Sequence, residues 1–132
     1  MSESAETVVR KYLAAWKRSD LDELVSFISD DAVYTDGPRG VHHGIDAIRA
    51  ELGTMVKVVP STSVDIKKLV ASGGTVMVER VDSFKLGGRP FDLEVAAVFD
   101  VDDNGRIKRW RDYYDLKSLE DRIASAGIAL PS

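Results

Sequence analysis

A chain of 132 residues with 44% hydrophobic and 30% charged side chains has the make-up of a globular protein with one core, and a single domain over residues 1–132 is expected. A formal charge of −4 and a pI near 5.2 give no electrostatic footprint for nucleic acid or an anionic membrane. The absence of cysteine removes disulfides, thiolate nucleophiles and cysteine-ligated metal centres; with no signal-type apolar segment or run of transmembrane length, a cytoplasmic location is expected.

Residues 4–18 place Val9, Leu13 and Trp16, with Val8 and Tyr12 beside them, at helical spacing. Asp20 followed by Glu23 reads as a capping box opening a second helix with Leu21, Leu24, Val25 and Ile28 on its apolar side. Ala32 to Asp36 is a short strand with Tyr34 and Asp36 on one face, broken by Gly37-Pro38-Arg39-Gly40. Val41-His42-His43-Gly44 reads as a solvated loop. The adjacent histidines point apart and lack partners at metal-ligand spacing, so no metal is expected. A third helix carries Ile45, Ile48 and Leu52, and Val58 to Val70 reads as a strand interrupted near Pro60. Strands near 74–85, 90–101 and 106–115 follow, joined by turns at 86–89 and 102–105, and a last helix with Leu116, Leu119, Ile123 and Ala126 stops at Gly127.

The turns predict a register. A hairpin centred between Gly87 and Gly88 pairs Arg80 with Val95 and Asp82 with Leu93; one centred between Asp103 and Asn104 pairs Val95 with Asp112 and Leu93 with Tyr114. Arg80, Val95 and Asp112 then share one cross-strand row, with Asp82 one pleat repeat, roughly 6.7 Å, along the strand. One guanidinium can reach both carboxylates. The same face carries Val76, Val78, Leu93, Val95, Trp110 and Tyr114, an apolar wall around a charged triad. Glu79, Asp92, Glu94, Asp100, Arg109 and Arg111 occupy the opposite face, which is solvated or part of a subunit interface.

Helices followed by a curved sheet resemble the cone-shaped α+β fold of the nuclear transport factor 2-like superfamily, its N-terminal helices packed in the concave face of a strongly curved mixed β-sheet. Within it, Glu79-Arg80-Val81-Asp82 with Gly105-Arg106-Ile107 and Trp110-Arg111-Asp112-Tyr113-Tyr114-Asp115-Leu116 resembles limonene-1,2-epoxide hydrolase. That resemblance implies Arg80 as a bridge, Asp82 as general acid, Asp112 as general base and Tyr34 as a holder of the nucleophilic water. Asp36 stands where the family has asparagine. The resemblance also implies a homodimer, a small hydrophobic epoxide as substrate, and no cofactor. Tyr12, Trp16, Val78, Leu93, Val95, Trp110 and Tyr114 are the expected substrate contacts. The first forty residues also resemble ketosteroid isomerase, with Tyr12 at its oxyanion-hole tyrosine and Asp36 at its base, but Ala97 falls where its second oxyanion donor would be.

Opening an epoxide needs a protonated acid and an ionised base close together. Burial favours neutral Asp82, and Arg80 favours ionised Asp112. A buried structural ion pair is the plainer reading of the same three residues. Asp36 has three readings: a neutral stand-in for an amide, a base in its own right, or a cap on the turn before Gly37. Proton transfer by Asp36 and Tyr12 on a ketone, or a non-catalytic pocket for a hydrophobic ligand, are the competing functions.

Overall fold

The computed structural model describes residues 3–128. In chain order the elements are α1 (Ala5–Ala15), α2 (Leu21–Ser26), β1 (Ile28–Asp36), a 3-10 turn (Gly37–Arg39), β2 (Gly40–His43), α3 (Ile45–Val58), β3 (Ser63–Ser72), β4 (Thr75–Leu86), β5 (Arg89–Val101), β6 (Ile107–Tyr113) and α4 (Leu116–Ser125). Ser4 caps α1 by accepting from the Thr7 amide, and Val8, Val9, Tyr12, Leu13 and Ala15 form its buried stripe. Asp20 caps α2 by accepting from the Glu23 amide at 3.3 Å. Glu23 does not reciprocate, because Arg18 takes its carboxylate in two bonds of 2.9 Å. The expected capping box is therefore half formed.

The sheet has six strands in the order β2-β1-β6-β5-β4-β3; β1 and β6 are parallel and every other pair is antiparallel. It is a mixed, curved α+β sheet with helices in its hollow. Two expectations need correction. Val58 closes α3, and the strand expected from Val58 begins only at Ser63: Ile48, Leu52, Met55 and Val56 carry the inward-facing helical spacing to the end of α3 and pack on the core, and that burial outweighs the β-propensity of Val58. The supposed loop around His42 is the edge strand β2, which satisfies its backbone by pairing with Val33–Asp36.

The β4–β5 hairpin has the expected register, Leu86 opposite Arg89, Arg80 opposite Val95 and Asp82 opposite Leu93. Gly87 and Gly88, at φ 55° and 79°, supply the left-handed pair that a two-residue hairpin loop requires. The β5–β6 register differs. Its loop is three residues long, closed by the Asp102 amide donating to the Arg106 carbonyl at 2.8 Å, and a bulge leaves Lys108 without a partner between the Val101–Ile107 and Asp100–Arg109 pairs. Each irregularity shifts the pairing by one residue. Asp112 thus faces Ala97 and not Val95, one pleat repeat from its expected row, but on its expected face.

The hollow fills row by row. His42, Tyr34, Trp110, Phe99 and Val76 are successive cross-strand partners. Tyr34 stacks on Trp110 at 3.8 Å, and Trp110 stacks on Phe99 at 5.9 Å. Tyr12 presses edge-on against this row from α1, 5.3 Å from Trp110. A second, smaller cluster of Leu86, Phe91 and Ile123 gathers Val58, Val59, Phe84 and Leu119 beneath α4. Fully burying such side chains stabilises by about 1.5–3 kcal/mol each. Among the described residues no helix is long and apolar enough to cross a membrane.

Candidate active site

The row beside the aromatic one contains Asp36 of β1, Asp112 of β6, Ala97 of β5 and Val78 of β4. The next holds Val95 and Arg80, and the one after it Leu93 and Asp82. Arg80 thus lies between two carboxylates, one on either side along the sheet. Its Nε and Nη2 donate to Asp82 at 2.9 and 3.2 Å, and Nη1 and Nη2 donate to Asp112 at 3.1 and 3.0 Å. Four of the five guanidinium N–H groups are engaged in these bonds, so Arg80 orients the two acids and has little capacity left for a ligand. The planar fork holds both partners where a single ammonium could not.

Burial alone would lower the Arg80 pKa, but Asp112 and Asp82 outweigh it and hold the guanidinium charged. Asp82 is moved the other way: burial raises its carboxyl above the ordinary value, against the opposing pull of Arg80. Asp112 also accepts from Trp110 Nε1 at 2.7 Å. Three N–H donors thus converge on Asp112, leaving one lone-pair position on Oδ2 open. The two acids share Arg80 but differ in their other partners, since only Asp112 also accepts from Trp110.

Asp36 is buried, with 3% of its surface exposed, and is not bonded to Arg80. Its Oδ1 accepts from the Tyr114 hydroxyl at 2.8 Å. Burial raises its pKa, with Asp112 and Glu51 adding to the effect and Tyr114 and Arg39 opposing it. The hydroxyl of Tyr34, two residues earlier on the same face, is buried without a hydrogen-bond partner. A buried orphan hydroxyl is unfavourable unless something polar meets it. The turn at Gly37, φ 39°, brings β1 so close to β6 that a Cβ there would lie 2.7 Å from the Asp112 carbonyl oxygen. Glycine is needed for that approach.

These groups line a cavity of about 340 Å³, at the small end of the range for small-molecule sites. Trp16, Tyr34, Asp36, Arg80, Asp82, Leu93, Val95, Trp110, Asp112 and Tyr114 all contribute to its wall. Tyr12 and Val78 do not, which corrects their assignment as substrate contacts. Tyr12 is fully buried beneath Trp16 and Trp110, and Val78 sits in the Ala97 row, on the core side of Arg80. His42 also departs from expectation, stacking on Tyr34 at 5.6 Å with Nε2 3.6 Å from Glu51. The sequence reading passed over Arg39 and Glu51, which line the cavity from the 3-10 turn and α3. It also missed the Trp110 bond to Asp112, although their spacing on one strand face was a usable signal.

A family model described as the SnoaL-like domain matches residues 9–110. Epoxide hydrolase EphG of Mycobacterium tuberculosis is 30% identical over 129 residues, covering 92% of this chain and 80% of that protein. A solved LEH-like epoxide hydrolase from M. tuberculosis superposes with a TM-score of 0.79 at 30% identity, covering 92% of this chain and 90% of its own. A protein with a ketosteroid isomerase-like fold from Catenulispora acidiphila, solved with trimethylamine, gives a TM-score of 0.78 at 24% identity over 92% and 93% of the two chains; at that identity it speaks to the fold alone. The curved sheet, its helix-filled hollow and these matches agree: the chain belongs to the SnoaL-like domain family, with the nuclear transport factor 2-like fold.

Proposed function

We propose that the protein is an epoxide hydrolase that adds water to a small epoxide in one step. The observation that carries the reading is the bridge Asp82–Arg80–Asp112 on the wall of a largely apolar cavity. Likeness to an epoxide hydrolase at 30% identity supports it. In this mechanism a water is held by the Tyr34 hydroxyl, by Asp36 in its neutral form and by the open lone pair of Asp112. As the water oxygen attacks an epoxide carbon, Asp112 takes its proton, the C–O bond breaks and protonated Asp82 delivers a proton to the leaving oxygen. The product is a diol, and a proton moves from Asp112 back to Asp82 through solvent before the next cycle. Only C–O bonds and protons change hands, and the three aspartates, Arg80 and Tyr34 suffice for that. Proton transfer on a ketone by Asp36 and Tyr12 has weaker support, because Tyr12 is off the cavity wall.

The test is a panel of small epoxides incubated in oxygen-18 water. Diol carrying the label from the first turnover, abolished by Asp112→Asn and by Asp82→Asn in folded protein, is expected. Unchanged turnover in either variant overturns the mechanism, and binding of an epoxide without any product points to a non-catalytic ligand carrier.

A further inference from the structure

The cavity is polar at one end and apolar at the other, and the sheet order fixes which is which. At the β4 side, Phe84 and Leu86 meet Val58, Val59, Leu119 and Ile123. The Asp112–Arg80–Asp82 bridge spans β6 to β4 in the middle. At the β1 side stand Asp36, Arg39 and Glu51, with the Tyr114 hydroxyl bonded to Asp36. A molecule with its reactive carbon at the bridge must present an apolar part to the β4 side and its other end to this polar group.

Two cations line the cavity among the described residues, and they differ in availability. Arg80 is taken up by four hydrogen bonds. Arg39 has only a loose ion pair: its Nη1 stops 4.0 Å from Asp36 Oδ2, beyond hydrogen-bond reach, and its side chain is 56% exposed. Asp36 instead accepts from Tyr114. Glu51, the remaining carboxylate at this end, is turned to β2, with Oε2 3.6 Å from His42 Nε2. The backbone carrying Arg39 is set by Gly37, pressed against Asp112, and by Pro38 in the 3-10 turn. A guanidinium with unused donors therefore stands at the polar end of the cavity, one short turn beyond Asp36.

Resting on the hydrolase reading, we infer that the substrate is a compact epoxide with a carboxylate at its far end, and that Arg39 is the residue that selects it. Guanidinium and carboxylate match in fork geometry, and the contact is charge-assisted. The cavity of about 340 Å³ lies at the small end of the range for small-molecule sites, which suits a medium-chain epoxy acid.

The experiment compares an epoxyoctanoate, its methyl ester, the matching epoxyoctanol and the matching epoxyoctylamine as substrates for wild type, Arg39→Gln and Arg39→Glu. Wild type should process the carboxylate with a kcat/KM about tenfold or more above the amine. Arg39→Gln should lower the carboxylate's kcat/KM about tenfold more than the alcohol's, mainly through KM, and Arg39→Glu should reverse the order of acid and amine. Equal efficiency across the four compounds, or an equal loss across them in Arg39→Gln, overturns the inference. In parallel, octanoate and octylamine are titrated against the fluorescence of Trp16 and Trp110, which both line the cavity. If no epoxide is opened but octanoate binds and Arg39→Gln weakens it, the hydrolase reading fails and the anion site stands. If epoxides are opened without any preference for the acid, the anion site alone fails.

Discussion

Asp36 and Asp112 lie opposite one another on adjacent parallel strands, yet Arg80 bonds only Asp112. The difference is set by position: Asp112 is one strand nearer to Arg80, and Asp36 is tied to Tyr114 instead. In the proposed mechanism Asp36 and Asp82 both work protonated, and burial raises both. Activity should accordingly fall as pH rises through their raised values. Asp36→Asn removes one of the two titrations, so the alkaline limb of kcat/KM should become shallower, from second toward first order in protons, and the optimum should move to higher pH. An unchanged limb would mean that Asp36 takes no part in holding the water.

The same substitution has a stability consequence with a definite sign. A carboxyl whose folded pKa is raised stabilises the fold fully below its unfolded pKa, and that contribution is lost as pH rises through the folded value. Asp36→Asn should therefore gain on wild type as pH increases, with a larger Tm advantage at about pH 8 than at about pH 4. Paired thermal melts measure it.

Removing Arg80 leaves two buried carboxylates without their shared partner. Arg80→Met should destabilise by about 3–5 kcal/mol near neutrality, and the loss should shrink in acid, where both carboxyls can take up protons. Denaturant titrations at the two pH values check this. Arg80→Lys keeps the charge but cannot make the four-bond bridge, so activity should drop roughly 100-fold even where stability partly recovers.

Tyr34→Phe separates stability from activity. The hydroxyl has no partner in the buried site, so its removal should leave stability unchanged or raise it by up to about 1 kcal/mol. Turnover should nevertheless fall on the order of 100-fold, because the proposed mechanism loses a group that holds the nucleophile. A parallel loss of Tm and rate would assign Tyr34 to packing.

Gly37→Ala tests the closeness of β1 to β6. The added Cβ meets the Asp112 carbonyl at 2.7 Å and the Tyr114 ring at 3.1 Å, in a backbone at φ 39°. A cost of about 1–3 kcal/mol is expected, with kcat reduced because the carbonyl that must shift belongs to the proposed catalytic base. A variant with wild-type Tm and kcat would show that the strands can part freely.

The motif-bearing strands were legible because alternation assigns faces and a two-residue glycine turn sets the register; Arg80, Asp82, Val95 and Leu93 pair as those rules require. Val58 misled because β-propensity is local, whereas the helix that it closes is held by Ile48 and Leu52 burying against the sheet. Arg39 and Glu51 had no signature at all: a cation after proline and an acid on a helix look like surface until three-dimensional packing brings them to a cavity. The row of Asp112 was missed by one pleat repeat because neither a three-residue loop nor a bulge at Lys108 is marked by periodicity.

Those two irregularities constrain how the chain can change length. Deleting a single residue from the loop at 103–105, with the bulge kept, would rotate the outer part of β6 by one side chain: Trp110 and Asp112 would turn to the outer face, and Arg111 and Tyr113 inward. The strand would survive and the site would vanish. Length variation in this hairpin is therefore tolerable only in steps of two, or when a gain at the loop is matched by a loss at the bulge.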